Sequence, residues 1–322
     1  MFAAYAASID ADDPLRGLEL GERPEPEAPD GWVVIDVKAA ALNHHDVWSL
    51  RGVGLGEDAL PMILGCDAAG TDPDGDEVIV HAVVASPGWM GDETFDPRRT
   101  LLSEKQQGTL AEQVMVPRRN LVPKPAELSW EEAACLPTAW LTAYRMLFTR
   151  GGVKPGQTVL VQGAGGGVAT AAIALAHAAG ARVWTTSRAE DKRSRAVSEL
   201  GADEAFEPGA RLPERVDLVI ETVGEATWSH SVKSLKPGGT IVVAGSTSGP
   251  APSAELMRMF FLQLSVVGST MGTREELERL TRLLVTTGVR PLVHASMPLR
   301  DAKPGFEAMV AGNVFGKVVF TS

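Results

Sequence analysis

The spacing of apolar and polar residues changes character about halfway along the chain. In the first 120 residues the pattern has the period of strands. Residues 31–42 (GWVVIDVKAAAL) alternate apolar and polar through their first half, as a half-buried strand does. Residues 76–84 (DEVIVHAVV) do the same after the turn Asp72-Pro73-Asp74-Gly75, and residues 108–116 (GTLAEQVMV) return to strand character. Residues 86–107 are rich in proline, glycine and charge, without a period, and read as an exposed loop or lobe. Helices begin near Ser129, whose spacing to Glu132 is that of a capping box ahead of the apolar run AACLPTAWLTAYRML.

From residue 157 strands and helices alternate. Strands are predicted at about 157–162, 182–186, 217–221, 239–244 and 264–268, with helices between them ended by Gly180, Gly201 and Pro237-Gly238-Gly239. Such alternation predicts an α/β fold, a doubly wound parallel sheet covered on both faces. Thr273 and Glu276 repeat the capping-box spacing and start another helix, and residues 314–320 read as a final strand.

The most informative stretch is residues 159–180, VLVQGAGGGVATAAIALAHAAG. A short β-rich run enters Gly163, Gly165, Gly166 and Gly167 and opens directly into an Ala-rich helix. Glycines let backbone approach a pyrophosphate, and a helix N-terminus offers it free N–H groups and a favourable dipole. The strand on each side makes a dinucleotide site the better reading than a merely structural turn.

Composition narrows the rest. A net charge of −11 over 322 residues argues against nucleic acid or an anionic membrane surface as partner, because phosphates would be repelled. Cys66 and Cys135 are too few for a disulfide framework or a four-cysteine zinc site, which suits a reducing, cytoplasmic setting. No leader sequence is expected after Met1, and no apolar run reaches transmembrane length.

Several motifs in order carry a family resemblance. They are Asn43-His44-His45-Asp46, Leu64-Gly65-Cys66-Asp67-Ala68-Ala69-Gly70, Gly75-Asp76-Glu77-Val78, Gly108-Thr109-Leu110-Ala111-Glu112, Thr142-Ala143-Tyr144, the glycine turn, and Gly316-Lys317-Val318-Val319. Together they resemble the medium-chain dehydrogenase/reductase superfamily over essentially the whole chain. The resemblance implies a GroES-like β-rich catalytic domain at 1–123, a Rossmann domain at 124–270, and a return to the catalytic domain at 271–322.

The superfamily divides on zinc. The positions that match the catalytic zinc ligands of its alcohol dehydrogenases hold Asn43, Cys66 and Thr138. Three soft or imidazole ligands plus water are what such a zinc needs, and that set is broken. The loop at 86–107 carries none of the cysteines of a structural zinc lobe. The chain therefore resembles the zinc-independent branch of quinone oxidoreductases and enoyl reductases, with no metal expected. An improvised site from His44, His45, Asp46, Cys66 or Asp67 is the rival, disfavoured because adjacent histidines on an extended segment point to opposite sides.

The candidate catalytic residues are Asn43, His45 and Asp46. Asn43 suits a hydrogen bond to the nicotinamide ribose or to substrate, or is a turn asparagine. His45 falls where alcohol dehydrogenases keep a proton-relaying hydroxyl, and imidazole titrates near neutrality; a hydrogen-bonded structural histidine is the alternative. For the cofactor, Gly163, Gly165, Gly166, Gly167 and Val168 form the turn, and Thr142, Val223, Gly245, Ser246 and Lys317 join them by resemblance. The second strand ends Thr185-Thr186-Ser187-Arg188 without the carboxylate that would hold an NAD ribose. Ser187, Arg188 and Lys192 suit the 2′-phosphate of NADP(H), against the alternative that Ser187 only caps a helix through Glu190 and Arg188 is a solvated surface residue.

The function this implies is an NADPH-dependent, zinc-independent transfer of hydride to a quinone or to an alkene conjugated to a carbonyl, acting on a small-molecule substrate. The alternatives are a zinc-type alcohol dehydrogenase with variant ligands and a cofactor-binding protein without turnover. Relatives pair through the last Rossmann strand, and the apolar, uncharged stretch 264–268 predicts a homodimer joined there.

Overall fold

The long strand Trp32–Ala41 organises the first unit of the structure, a computed structural model that describes all 322 residues. Its burial alternates through the first half and becomes continuous at Ala39, Ala40 and Ala41. Along its length it pairs antiparallel with Asp67–Thr71, with Gln113–Pro117 and with Lys317–Thr321. The last strand of the chain thus returns to the sheet that the first hundred residues build. Strands Glu77–Val80 and Leu121–Pro123 extend that sheet on one side, and Val293–Pro298 closes the other. Leu42, Leu50, Leu64, Phe306 and Phe320 fill its core, the two phenylalanine rings stacked at 6.0 Å. Each large side chain so buried contributes roughly 1.5–3 kcal/mol.

This first unit comprises residues 1–139 and 271–322, and the second comprises 140–270. The first boundary falls between Ala139 and Trp140 rather than at 123/124 as the sequence suggests. The reason is helix Trp130–Ala134, which packs on strands Trp32–Ala41 and Asp67–Thr71 and so belongs with them. Its capping box forms: the Glu132 N–H donates to Ser129 Oγ, and the Ser129 N–H to Glu132 Oε2.

The second unit is a six-stranded parallel sheet. Its strands run in the order Glu204–Phe206, Arg182–Thr186, Thr158–Val161, Val216–Glu221, Leu235–Val243, Ser265–Gly268. Numbered within this sheet the order is 3-2-1-4-5-6, the doubly wound pattern. Chain direction reverses its progress between Thr158–Val161 and Val216–Glu221, so the crevice beyond the carboxyl ends of those two strands is where a ligand is expected.

Candidate active site

Helix Gly167–Ala178 begins at the switch point of the second unit. Gly163 turns the chain out of strand Thr158–Val161 with φ of +86°, a conformation a side chain resists. Its N–H donates to Thr186 Oγ1. Gly165 is buried, Gly166 precedes the helix, and Gly167 and Val168 start it, both half-buried. A Cβ built on Gly166 meets no atom within 4 Å, and no side chain caps the helix. The start of a twelve-residue helix is thus uncapped by any side chain, with open space beside Gly166, which is what a pyrophosphate requires.

The neighbouring loops complete the crevice. Val223 lies over the turn, its Cγ2 3.8 Å from where a Gly163 Cβ would stand. Ser248 ties the loop at Gly245 and Ser246 to Val223, donating from both N–H and Oγ to the Val223 carbonyl at 2.7 Å. Thr142 is buried in helix Leu141–Tyr144, which packs on the dinucleotide helix. Glu221 is a residue that sequence reasoning did not single out. Fully buried at the end of an apolar strand, its carboxylate accepts from the N–H groups of Val223 and Gly224 and from the hydroxyls of Thr227 and Ser231. A buried carboxylate with this many donors is satisfied, and it shapes the turn that carries Val223.

At the end of the second strand the helix starts later than a Ser187 cap would require. Its first residue is Glu190 and its N-cap is Ala189, so no capping box joins Ser187 to Glu190. Ser187 Oγ instead accepts from the Ala189 N–H, and Arg188 is exposed. Arg193, also missed from sequence, donates to the carbonyls of Ser187 (2.7 Å) and Arg188 (3.3 Å) and so braces this loop. Burial first, with smaller contributions from Arg188 and Arg195 and against the pull of Asp191, holds the Lys192 ammonium below the usual lysine range. Arg188 on this short loop, with no carboxylate at the strand end, suits a dianionic phosphate better than a ribose hydroxyl.

In the first unit, residues 44–50 are helical, not extended: helix His44–Leu50 follows directly on the long strand. The expectation that His44 and His45 point to opposite sides of a strand therefore does not apply. His44 is exposed, and His45 is turned inward. Its Nδ1 lies 3.4 Å from Cys66 Sγ and its Nε2 3.0 Å from Glu104 Oε1. Glu104 comes from the end of the aperiodic loop, whose Leu102 and Ser103 are fully buried rather than exposed.

Three of the sequence assignments change. Asp46 is buried, and its two oxygens accept from the Asn43 N–H (2.8 Å) and the Gly65 N–H (2.9 Å). It is the returning half of a capping box and a clasp on the next loop, so it positions and does not reach a substrate. Gly65 itself has φ of +101°, and a Cβ there would lie 2.5 Å from Thr109 Oγ1. Asn43 has no group to spare: its amide donates to Ala41 O and Asp67 Oδ2, and its oxygen accepts from Lys317 Nζ at 2.6 Å. Lys317 is buried, and its three donors go to Leu42 O, Asn43 Oδ1 and Asp67 Oδ2. An ammonium with all three donors spent inside the first unit has none for a cofactor.

The same lock tests the fit of a zinc. At the three matching positions, Asn43 is bound to an ammonium that would repel a divalent cation, Thr138 offers only a hydroxyl, and Cys66 is buried. His45, Asp46 and Cys66 do converge, with ligand atoms within 4.8 Å of one another. Of these, Asp46 has both oxygens on backbone N–H groups and burial pushes the Cys66 thiol up, away from the thiolate a metal needs. The residues present do not fit the zinc of the alcohol dehydrogenases.

Comparison with known proteins agrees with this architecture. The family model described as "Alcohol dehydrogenase GroES-like domain" matches residues 29–126, and "Zinc-binding dehydrogenase" matches residues 167–286. The chain is 32% identical over 327 residues to the acryloyl-coenzyme A reductase of Metallosphaera sedula, spanning 95% of this chain and 97% of that protein. A solved structure described as an NAD-dependent alcohol dehydrogenase is 35% identical with a TM-score of 0.92, covering 100% of both chains. That of a 2-octenoyl-CoA carboxylase reductase in complex with NADP and 2-octenoyl-CoA is 28% identical with a TM-score of 0.90, covering 99% of this chain and 87% of that one. The chain belongs to the medium-chain dehydrogenase/reductase superfamily and is an NAD(P)H-dependent oxidoreductase. No helix is long and apolar enough to cross a membrane.

Proposed function

We propose that the chain is an NADPH-dependent, zinc-independent reductase that transfers hydride to an alkene conjugated to a carbonyl. The observation that carries this is the buried lock of Lys317 on Asn43 and Asp67. It ties Asn43, at one of the matching zinc-ligand positions, to a fixed ammonium that would repel a divalent cation, and an alcohol oxygen without a metal is hard to activate. An electron-poor alkene needs no such activation, only a nicotinamide held in register, donors for the developing enolate and a proton. Similarity to reductases of enoyl thioesters supports that substrate class over quinones. Arg188 and the braced loop beneath it support NADPH over NADH.

The test is oxidation of NADPH against enoyl thioesters, simple enones and quinones, with NADP⁺ and primary alcohols as the reverse arm. Turnover is expected with enoyl thioesters or enones. Turnover confined to alcohols and abolished by a chelator would overturn the reading.

A further inference from the structure

We propose that Gln162 is a positioning residue for the dinucleotide: its buried amide couples the glycine turn to the Val223 turn, so that the two hold the cofactor together. Cofactor binding alone is at issue, whichever substrate takes the hydride.

The two turns stand side by side at the switch point. Val223 Cγ2 is 3.8 Å from where a Gly163 Cβ would be. Beneath them runs an unbroken chain of hydrogen bonds. The Gly163 N–H donates to Thr186 Oγ1 (3.3 Å), and that hydroxyl donates to Gln162 Oε1 (2.8 Å). Gln162 Nε2 donates to Ser231 Oγ (3.0 Å), which donates to Glu221 Oε2 (2.6 Å). Glu221 Oε1 accepts from the N–H groups of Val223 (2.8 Å) and Gly224 (3.1 Å). Gln162 follows strand Thr158–Val161, Thr186 ends strand Arg182–Thr186, Glu221 ends strand Val216–Glu221, and Ser231 lies in helix Glu225–Ser234.

Two independent partners fix the direction of this chain at Gln162. Glu221 already accepts from two N–H groups, so Ser231 spends its proton on that carboxylate and takes one from Gln162. His230 Nε2 lies 2.9 Å from the Ala210 carbonyl, which can only accept. With the ring proton on Nε2, Nδ1 is the acceptor that faces Gln162 Nε2 at 2.9 Å. Both partners demand the amide nitrogen, and the amide oxygen is left for Thr186.

Burial turns these contacts into coupling. Thr186, Gln162, Ser231 and Glu221 are each 1% exposed or less. Breaking one link therefore strands a buried polar group on either side of it, and the neighbours must shift to relieve it. Packing alone would be served by an apolar residue at 162, since strand Thr158–Val161 is buried throughout. The polar chain instead ends on the N–H of Gly163 at one side and on those of Val223 and Gly224 at the other. Gly163 is gripped at its carbonyl too, which accepts from Thr185 Oγ1 at 2.9 Å. Gln162 lies beneath both turns and acts through them.

The test uses the full chain with Gln162→Met, Thr186→Val, Ser231→Ala and the Thr186/Ser231 double variant, the last three also in the Gln162→Met background. Fluorescence titration gives Kd for NADPH and NADH, and circular dichroism with urea unfolding checks the fold. Gln162→Met is expected to weaken both cofactors alike, by about tenfold or more, unlike a variant that loses only a 2′-phosphate contact. Thr186→Val and Ser231→Ala should each weaken both by about three- to tenfold, and the double variant by less than the product of the two factors. In the Gln162→Met background that shortfall should vanish and the factors should multiply. Thr186→Ser, which keeps the hydroxyl, should bind as the wild type does. An amide that only stabilises the fold would lower the urea midpoint without this coupling in Kd. Unchanged affinity in folded Gln162→Met overturns the proposal, and so do Thr186→Val and Ser231→Ala factors that multiply while Gln162 is present. Should Gln162→Met fail to fold, the Thr186/Ser231 cycle decides by itself. A wild type that binds neither cofactor overturns the dinucleotide site and the proposal with it, whereas failure to reduce an enoyl thioester bears on the reductase reading alone.

Discussion

Lys317 Nζ lies 2.9 Å from Asp67 Oδ2, and neither side chain reaches solvent. Their residues are 250 positions apart in the chain. The pair joins the last strand to the segment that carries Cys66, and it draws Asn43 in as a third member. Removing one partner leaves an uncompensated buried charge, which typically costs about 3–5 kcal/mol. Lys317→Met and Asp67→Asn should each destabilise by that order, and the double variant by less than their sum. Urea unfolding of the three variants measures it. Additive losses would mean that the two charges do not depend on each other.

The cofactor end makes a sharper prediction. A charge-assisted contact to a 2′-phosphate is worth roughly 1.5–3 kcal/mol. Arg188→Ala should weaken NADPH about ten- to a hundredfold and leave NADH nearly unchanged. Arg193→Ala, which unties the carbonyls of Ser187 and Arg188, should also weaken NADPH more than NADH. Fluorescence titration with both cofactors decides; an equal loss for the two would contradict the assignment.

Protein purified without chelator should carry no stoichiometric zinc, because Asn43 is bound to an ammonium and Asp46 to two backbone N–H groups. Activity should survive incubation with a chelator. One tightly held zinc per chain in native mass spectrometry, lost together with activity, is the contrary result.

Strand Ser265–Gly268 is the open edge of the parallel sheet, and its Val266 is 45% exposed. In the same unit, helix Leu256–Phe261 exposes Leu256, Met257, Phe260 and Phe261. An uncharged edge flanked by apolar surface is a liability unless it is covered. We expect a homodimer paired through this edge. Light scattering should give twice the chain mass at micromolar concentration and a monomer mass for Val266→Lys. A monomeric wild type would rule the pairing out.

Much of this protein is legible in the order of its residues. The change from period two to strand–helix alternation is local, and so are the capping boxes at Ser129 and Thr273, which form where spacing predicts them. The glycine turn is also local, because a positive φ at Gly163 and an uncapped helix follow from residues next to each other. Boundaries are less local. Residues 124–139 pass to the first unit because helix Trp130–Ala134 finds its apolar partners there.

The chemistry at the site is another matter. The family resemblance marked Asn43, His45, Asp46 and Lys317 as worth attention, but their roles depend on who spends whose hydrogen bonds. Lys317 joins the cofactor residues by resemblance; buried beside Asp67 and Asn43, it has no donor left for a cofactor. Asp46 suits catalysis as a free carboxylate; at the start of a helix, two N–H groups claim it. Glu104 has no motif and sits in a stretch without period, and only the fold carries it across 59 residues to His45. Short-range pattern determines elements because dihedral preference and amphipathic spacing act within a few residues. Ownership of a buried charge is settled by partners distant in sequence, because a desolvated group must be satisfied by whatever the fold brings within 3 Å or so of it.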